Sequence, residues 1–298
     1  MSSDDKIPLK EENLGRAAFS ASGAARKRMT GKAAEREKVA LVTGGARGNG
    51  FAIAKGLAEA GATLFLCDIA GNLPEVPYAL SSAQNLHDAV EALRSIHPRV
   101  YPLVCDVRDS HAVDAAVGSL EATAGGVDIL VNNAGVLVLN PLPAVSDAEW
   151  DVQMDVIVKG AFHCCRRVLP RMNARGWGRI VNIASVAGHR GIGVGAAYTA
   201  AKHALVGLTR ALAMETARQN VTVNAVCPGT VSTELVRGMG GVLNMEEAEL
   251  LTHFTSRHLT GQPVRPEDVA AAVVWLASDA AARVNGSSLF VDDGWHAH

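Results

Sequence analysis

Aromatic residues make up only 4% of this 298-residue chain, while alanine, valine, leucine and glycine are abundant. That balance argues against an all-β sandwich and suits a parallel sheet packed between helices. No apolar run approaches the roughly 18 residues that read as a membrane span, and the first residues lack the apolar core of a secretory signal. The chain is therefore predicted to have neither. The five cysteines, Cys67, Cys105, Cys164, Cys165 and Cys227, are odd in number and lack CxxC spacing, so a disulfide framework is excluded and reduced thiols in the cytoplasm are expected. Ten histidines are scattered without ligand spacing, so no metal site is predicted. The net charge of −2 gives no electrostatic case for nucleic acid or an anionic membrane as partner. What remains, 48% hydrophobic and 19% charged, is enough to bury a sizeable globular core.

Residues 1–36 are rich in Ser, Ala, Lys, Arg and Glu and carry little periodicity; they read as a solvated arm. Asp4, Asp5, Glu11 and Glu12 argue against a transit peptide. From Lys38 to the end, short apolar runs alternate with helical patterns. Strands are predicted at 39–43, 62–67, 100–105, 127–131, 179–183, 221–226 and 288–291. Ser81 and Ser82 are placed to cap a helix carrying Leu86, Ala89, Val90 and Leu93. Ser146 and Glu149 form a capping box for a helix running to about Met172. Such alternation implies right-handed βαβ units: one α/β domain over 37–298, a Rossmann-type doubly wound sheet of about seven parallel strands with helices on both faces. Residues 229–262 form a glycine-containing excursion.

Thr43 to Gly50, TGGARGNG, lies between the first strand and the first helix. Gly44, Gly48 and Gly50 permit a tight turn and close backbone approach, and the helix N-terminus behind them suits a pyrophosphate. Asp68 ends the second strand 18 residues after Gly50, where a carboxylate can accept from both ribose hydroxyls. It would repel a 2′-phosphate and favours NAD over NADP. Arg47 pulls the other way, unless it pairs with Asp68 or with a pyrophosphate oxygen.

Tyr198 and Lys202 are four apart in a helical run and share a face. A phenol ionises near pH 10, too high for proton exchange near neutrality, and an ammonium one turn away would lower that value. Ser185, thirteen residues earlier, offers a hydroxyl to a substrate oxygen. Together the three point to chemistry at a carbon–oxygen bond.

TGGARGNG, NNAG at 132–135, Ser185 with Tyr198-x-x-x-Lys202, and Pro228-Gly229 occur in the order of the short-chain dehydrogenase/reductases, which the chain resembles over residues 38–294. The resemblance implies an oxidoreductase that interconverts a secondary alcohol and a ketone with NAD. Tyr198 would be the acid/base, Lys202 would lower its pKa and hold the nicotinamide ribose, and Ser185 would orient the substrate oxygen. Gly44, Arg47, Asn49, Gly50 and Asp68 would hold the dinucleotide. Asp106 and Val107 would meet the adenine, Asn133, Ala134 and Gly135 would flank a ribose, and Pro228, Gly229 and Val231 would meet the carboxamide. Homotetramers are common in the family, and helices at 147–172 and 194–218 would be the pairing surfaces.

Two departures from the family pattern stand out. Ile157 occupies the position of an asparagine that serves a water-linked proton path to the lysine. Asp68 to Asp106 spans 38 residues, about a dozen more than usual, and the segment 73–80 with Asn49 is similar to a subgroup of actinobacterial enzymes that hold NAD tightly; it reads either as a cover on the adenine end or as a surface insertion. Residues 229–262, with Met239, Gly240, Gly241, Leu243, Met245, Leu250, Leu251 and Phe254, are expected to close over a small apolar alcohol or ketone, with Val138, Leu139 and His189 adding to its wall. Two other functions compete. Arg166, Arg167, Arg171, Arg175 and Arg179 would suit an acidic carrier protein, and hence an NADPH-dependent 3-oxoacyl-thioester reductase. Ile157 alone would suit a weakly catalytic NAD-binding protein.

Overall fold

Seven parallel strands form one sheet: β1 (Val39–Thr43), β2 (Thr63–Asp68), β3 (Val100–Val104), β4 (Ile129–Asn132), β5 (Gly178–Ile183), β6 (Val221–Pro228) and β7 (Ser288–Val291). Their order is β3-β2-β1-β4-β5-β6-β7. The computed structural model describes residues 36–234, 236 and 245–297. The arm, except for Arg36, and Met239, Gly240, Gly241 and Leu243 lie outside the described residues. Residues 37–298 form one compact unit.

Every residue of β1, β2, β4, β5 and β6 is buried, so these strands are predominantly apolar rather than alternating, with Asp68, Asn132, Arg179, Asn182 and Asn224 as buried polar exceptions. Helices α1 (Gly48–Glu59), α2 (Ala83–Arg94) and α8 (Pro266–Ala277) cover one face. Helices α3 (Ser110–Ala124), α5 (Gly160–Arg175) and the later α6 (Ala196–Thr216) pack on the other. Helix α2 begins where the serines predict. Ser82 Oγ accepts from the Asn85 N–H at 3.2 Å, Asn85 Oδ1 accepts from the Ser82 N–H at 2.9 Å, and Leu86, Ala89, Val90 and Leu93 are the buried positions.

Two elements depart from the sequence pattern. The helix expected from Ser146 to about Met172 is α4 (Asp147–Met154), a π-helical turn at Asp155–Lys159, and then α5, which continues to Arg175. Gly160 sets this step: a Cβ there would lie 2.6 Å from Val107 Cγ2, so helix and loop approach as only glycine permits. Strand β6 runs two residues beyond Val226, because Cys227 and Pro228 stay in register with Phe290 and Val291 and the Gly229 N–H donates to the Val291 carbonyl at 3.0 Å.

The strand order reverses between β1 and β4, and the loops after these strands diverge to opposite faces of the sheet. In open α/β sheets this is where a crevice forms at the carboxyl ends of the strands. No helix among the described residues is long and apolar enough to cross a membrane.

Candidate active site

A cavity of about 830 Å³ occupies that crevice. Gly44, Arg47, Gly48 and Asn49 line its floor between β1 and α1. Gly44 has φ +63°, the left-handed conformation that favours glycine. Gly50 does not face the cavity; a Cβ there would lie 1.9 Å from the Gly44 carbonyl oxygen, so its absent side chain is what lets α1 start against the turn. The N-cap residue Arg47 makes no side-chain cap and the first turn holds no acid, which suits this helix end to an anion; the Glu234 carboxylate lies beside Gly48. Asn49 Oδ1 is buried in this wall without a hydrogen-bond partner. Asn133 Nδ2 donates to the carbonyls of Thr43 and Gly44, each at 3.0 Å, and fixes the 133–135 turn against the glycine loop.

Asp68 is buried at the end of β2. Its carboxylate accepts from the N–H groups of Ala46 at 3.2 Å and Ala70 at 3.3 Å, and from the Ser81 hydroxyl. Arg47 does not pair with it. The Arg47 guanidinium donates to the Ala79 carbonyl at 2.8 Å instead. The extra segment after β2 is therefore no surface insertion: Leu73 and Val76 are core residues, the Leu137 N–H donates to the Tyr78 hydroxyl at 2.9 Å, and Leu73, Tyr78, Leu80 and Ser81 line the cavity. Asp106 and Val107 line the same end. Burial works against the Asp106 carboxylate, but hydrogen bonds from Arg108 hold its pKa below the ordinary value.

Ser185, at the carboxyl end of β5, and Tyr198 and Lys202, on α6, meet in the other half of the cavity. Here the expected electrostatics are corrected. Lys202 Nζ donates to the Ile183 carbonyl at 2.7 Å and lies 5.5 Å from the centre of the Tyr198 ring. Burial pushes the Tyr198 phenol up to about 12, and only the hydrogen bond with Ser185 opposes it. Burial also pulls Lys202 down to about 8. With its hydrogen bond given to a backbone carbonyl, the amine does not offset the burial of the phenol in this arrangement. Ile157 is buried, and its Cγ1 and Lys202 Nζ each lie 3.8 Å from the point where a Gly135 Cβ would stand. The residue beside the lysine is thus apolar.

Pro228, Gly229 and Val231 line the cavity beyond β6. Behind them sits His258, which sequence reasoning missed. Its Nε2 accepts from the Thr230 N–H at 3.1 Å and its Nδ1–H donates to the Gln262 carbonyl at 2.6 Å, which fixes the tautomer. The Thr230 hydroxyl donates to the Phe254 carbonyl at 2.9 Å. Helix α7 (Glu247–Thr255) is thereby anchored to the turn. Leu139, Leu250, Met245, Phe254, Ile192 and Val236 form an apolar cluster, all but Leu250 on the cavity wall. Two expected wall residues are elsewhere. The Val138 N–H donates to Gln153 Oε1 at 3.1 Å, and the His189 ring packs on Phe290 with centres 4.9 Å apart; neither lines the cavity. His253, Arg257 and Trp295 do, and nothing local in the sequence marks them.

The family described as "Enoyl-(Acyl carrier protein) reductase" matches residues 44–296. D-beta-hydroxybutyrate dehydrogenase of Rhizobium meliloti is 35% identical over 273 residues, covering 87% of this chain and 99% of that one. Cis-4-hydroxycyclohexanecarboxylate dehydrogenase of Sinomonas cyclohexanicum is 36% identical over 262 residues, covering 88% and 97%. Carveol dehydrogenase of Mycobacterium avium, solved in complex with NAD, superposes with a TM-score of 0.83 at 32% identity over 88% of this chain and 98% of that one. An actinorhodin polyketide ketoreductase variant solved with NADPH does so at 0.79 and 34% identity, covering 88% and 98%. The chain belongs to the short-chain dehydrogenase/reductases. It is accordingly an oxidoreductase of hydroxyl and ketone groups that uses a nicotinamide dinucleotide.

The groups on the cavity wall fit such a dinucleotide: a helix N-terminus without a cap from its N-cap side chain for the pyrophosphate, an orphaned Asn49 oxygen, and a buried carboxylate at the β2 end. The arginine run of this short-chain dehydrogenase/reductase, by contrast, is largely paired within the chain, although Arg166, Arg171 and Arg175 are exposed. Arg167 and Arg171 pair with Glu121, Arg175 pairs with Asp128 at 3.3 Å, and Arg179 is 1% exposed, stacked on Trp177 and paired with Asp279. Arg166 lies over the Phe162 ring, 4.8 Å from its centre.

Proposed function

We propose that the protein is an NAD-dependent dehydrogenase or reductase of a secondary alcohol and its ketone, with Tyr198 as acid/base. The observation that carries the choice of NAD is the pair of contacts made by the segment after β2: the Ser81 hydroxyl donates to the Asp68 carboxylate at the cavity, and the Ala79 carbonyl accepts from the Arg47 guanidinium, which does not pair with that carboxylate. A fixed carboxylate accepts from ribose hydroxyls and repels a 2′-phosphate. The α1 N-terminus holds the pyrophosphate, the Asn49 oxygen accepts from a dinucleotide hydroxyl, Asp106 and Val107 border the adenine, Asn133, Ala134 and Gly135 flank a ribose, and Pro228, Gly229 and Val231 face the carboxamide. When bound, the nicotinamide ring accepts or supplies the hydride.

The protein supplies position and the proton. Ser185 donates a hydrogen bond to the substrate oxygen and the Tyr198 hydroxyl gives a proton to a carbonyl oxygen, or takes one from an alcohol. A phenol at about 12 is a poor acid, and its phenolate, the form that takes a proton from an alcohol, is scarce near neutrality. Lys202, once turned from the Ile183 carbonyl toward ligand and phenol, would lower that value. The apolar wall of Leu139, Ile192, Met245 and Phe254 matches a substrate with a hydrocarbon flank.

The assay is reduction of NAD and of NADP over a panel of secondary alcohols and diols, with Tyr198→Phe as control. Turnover with NAD, lost by 10²-fold or more in the variant, is expected. A preference for NADPH with 3-oxoacyl thioesters would replace this reading with the carrier-linked one, against which the paired arginines argue. Exposed Phe162 and Met214 on α5 and α6, beside the apolar groove that includes Leu169, Leu208 and Leu212, support a homotetramer, which light scattering checks. Five buried free thiols support a reducing, cytoplasmic setting.

A further inference from the structure

At the substrate end of the cavity, two guanidinium groups share one indole. Trp295 is buried on the cavity wall; Arg257 Cζ lies 5.5 Å from its ring centre and Arg190 Cζ lies 5.9 Å away. Arg257 is exposed, lines the cavity, and follows the helix that carries Phe254. Arg190 donates to the His296 carbonyl at 2.9 Å. Among the described residues neither guanidinium is paired with a carboxylate. The two acids of the adjoining C-terminal turn are already engaged: Asp292 accepts from the N–H groups of Gly294 and His296, and Asp293 accepts from the N–H and hydroxyl of Thr260. His253 adds a further basic group to the same wall.

Both guanidinium groups lie within 6 Å of the centre of one indole, a contact that attracts a cation without cancelling its charge. Arg257 lines the cavity, so an anion bound there can reach its donor fork. A carboxylate fits, because its two oxygens match a guanidinium fork in a bidentate pair. The apolar wall between Tyr198 and Arg257 then takes the hydrocarbon that links the reacting carbon to the acid. We propose that the physiological substrate is a hydroxy acid or oxo acid whose carboxylate, remote from the reacting carbon, docks on Arg257 with Arg190 behind it. This deepens the alcohol–ketone reading and rests on it.

The test compares 5-oxohexanoate, 6-oxoheptanoate and 7-oxooctanoate with their methyl esters as substrates for NADH oxidation, in the wild-type enzyme and in Arg257→Ala and Arg257→Lys. For at least one chain length the acid should exceed its ester in kcat/KM by 10-fold or more. Arg257→Ala should lower the acid's kcat/KM by about 10- to 100-fold, chiefly through KM, and leave the ester unchanged. Arg257→Lys should recover part of the loss, since it keeps the charge and loses the fork. Esters turned over as well as or better than acids at every length, or an equal loss on acid and ester in Arg257→Ala, would overturn the inference and leave the alcohol–ketone reading standing. Failure of every ketone and every secondary alcohol to react would overturn both.

Discussion

Lys202 Nζ lies 5.5 Å from the centre of the Tyr198 ring and spends its hydrogen bond on a backbone carbonyl. The pair that shares a helical face is thus poised rather than engaged, with the phenol near 12 and the amine near 8. The two values move in opposite directions for one reason: burial disfavours whichever form is charged, the phenolate of Tyr198 and the ammonium of Lys202.

The lysine makes stability depend on pH with a definite sign. Its folded value, about 8, is below its ordinary 10.5. At pH 7 both folded and unfolded chains hold the proton, and the folded one bears the full desolvation penalty. Between about 8 and 10.5 the unfolded chain binds more protons, so this contribution to stability rises with pH. Lys202→Met removes it. In the absence of dinucleotide, the Tm of Lys202→Met relative to wild type should be highest near pH 7 and fall steadily toward pH 10. A difference independent of pH would show that the amine is not held out of water.

Ile157 gives a second pH prediction. It packs beside Gly135 and Lys202 where a polar side chain would help relay protons. Ile157→Asn should raise kcat on the alkaline side of the profile if proton exit through the lysine limits turnover. An unchanged profile would mean that another route serves Lys202.

Cofactor choice should yield to one residue. Asp68→Ala removes the acceptor held by Ala46, Ala70 and Ser81. The ratio of kcat/KM for NADH over NADPH should fall by about 10²-fold, the effect of losing hydrogen bonds to a charged group and its repulsion of phosphate. Ser81→Ala, which only loosens the carboxylate, should give a smaller fall in the same direction.

Gly50→Ala tests the floor of the crevice. The added Cβ would sit 1.9 Å from a carbonyl oxygen that cannot give way alone. Destabilisation of about 1–3 kcal/mol or more, measured by urea unfolding, should accompany loss of dinucleotide binding measured by calorimetry.

Which parts of this were legible in sequence follows from range. Ser82, Gly44 and Asp68 act through neighbours a few residues away or through a fixed place at a strand end, and local pattern announces both. The family resemblance carried Ser185 and Tyr198 to one site. The π-turn at Asp155–Lys159 was hidden because its cause is Val107, about fifty residues earlier. His258 and Arg257 were hidden because what gives them meaning is Thr230 and Trp295, neither within two dozen residues. The direction of the Lys202 amine was misjudged because spacing on a helix fixes a face and not a hydrogen-bond partner. The Arg167 to Arg179 run reads as a surface for the same reason: its acids come from α3, from Asp128 just before β4 and from the segment after α8.

Thr230 is bound once to α7, through the Phe254 carbonyl, and once to the turn that follows it, through the ring of His258. The wall against which a substrate would lie and the turn that would face the nicotinamide therefore share a mechanical joint. A ligand that stiffens one stiffens the other, and linkage makes the benefit mutual. Each ligand should then bind more tightly in the presence of its companion, by the same factor in both directions, so that the joint turns a two-part crevice into a site that prefers to be filled completely.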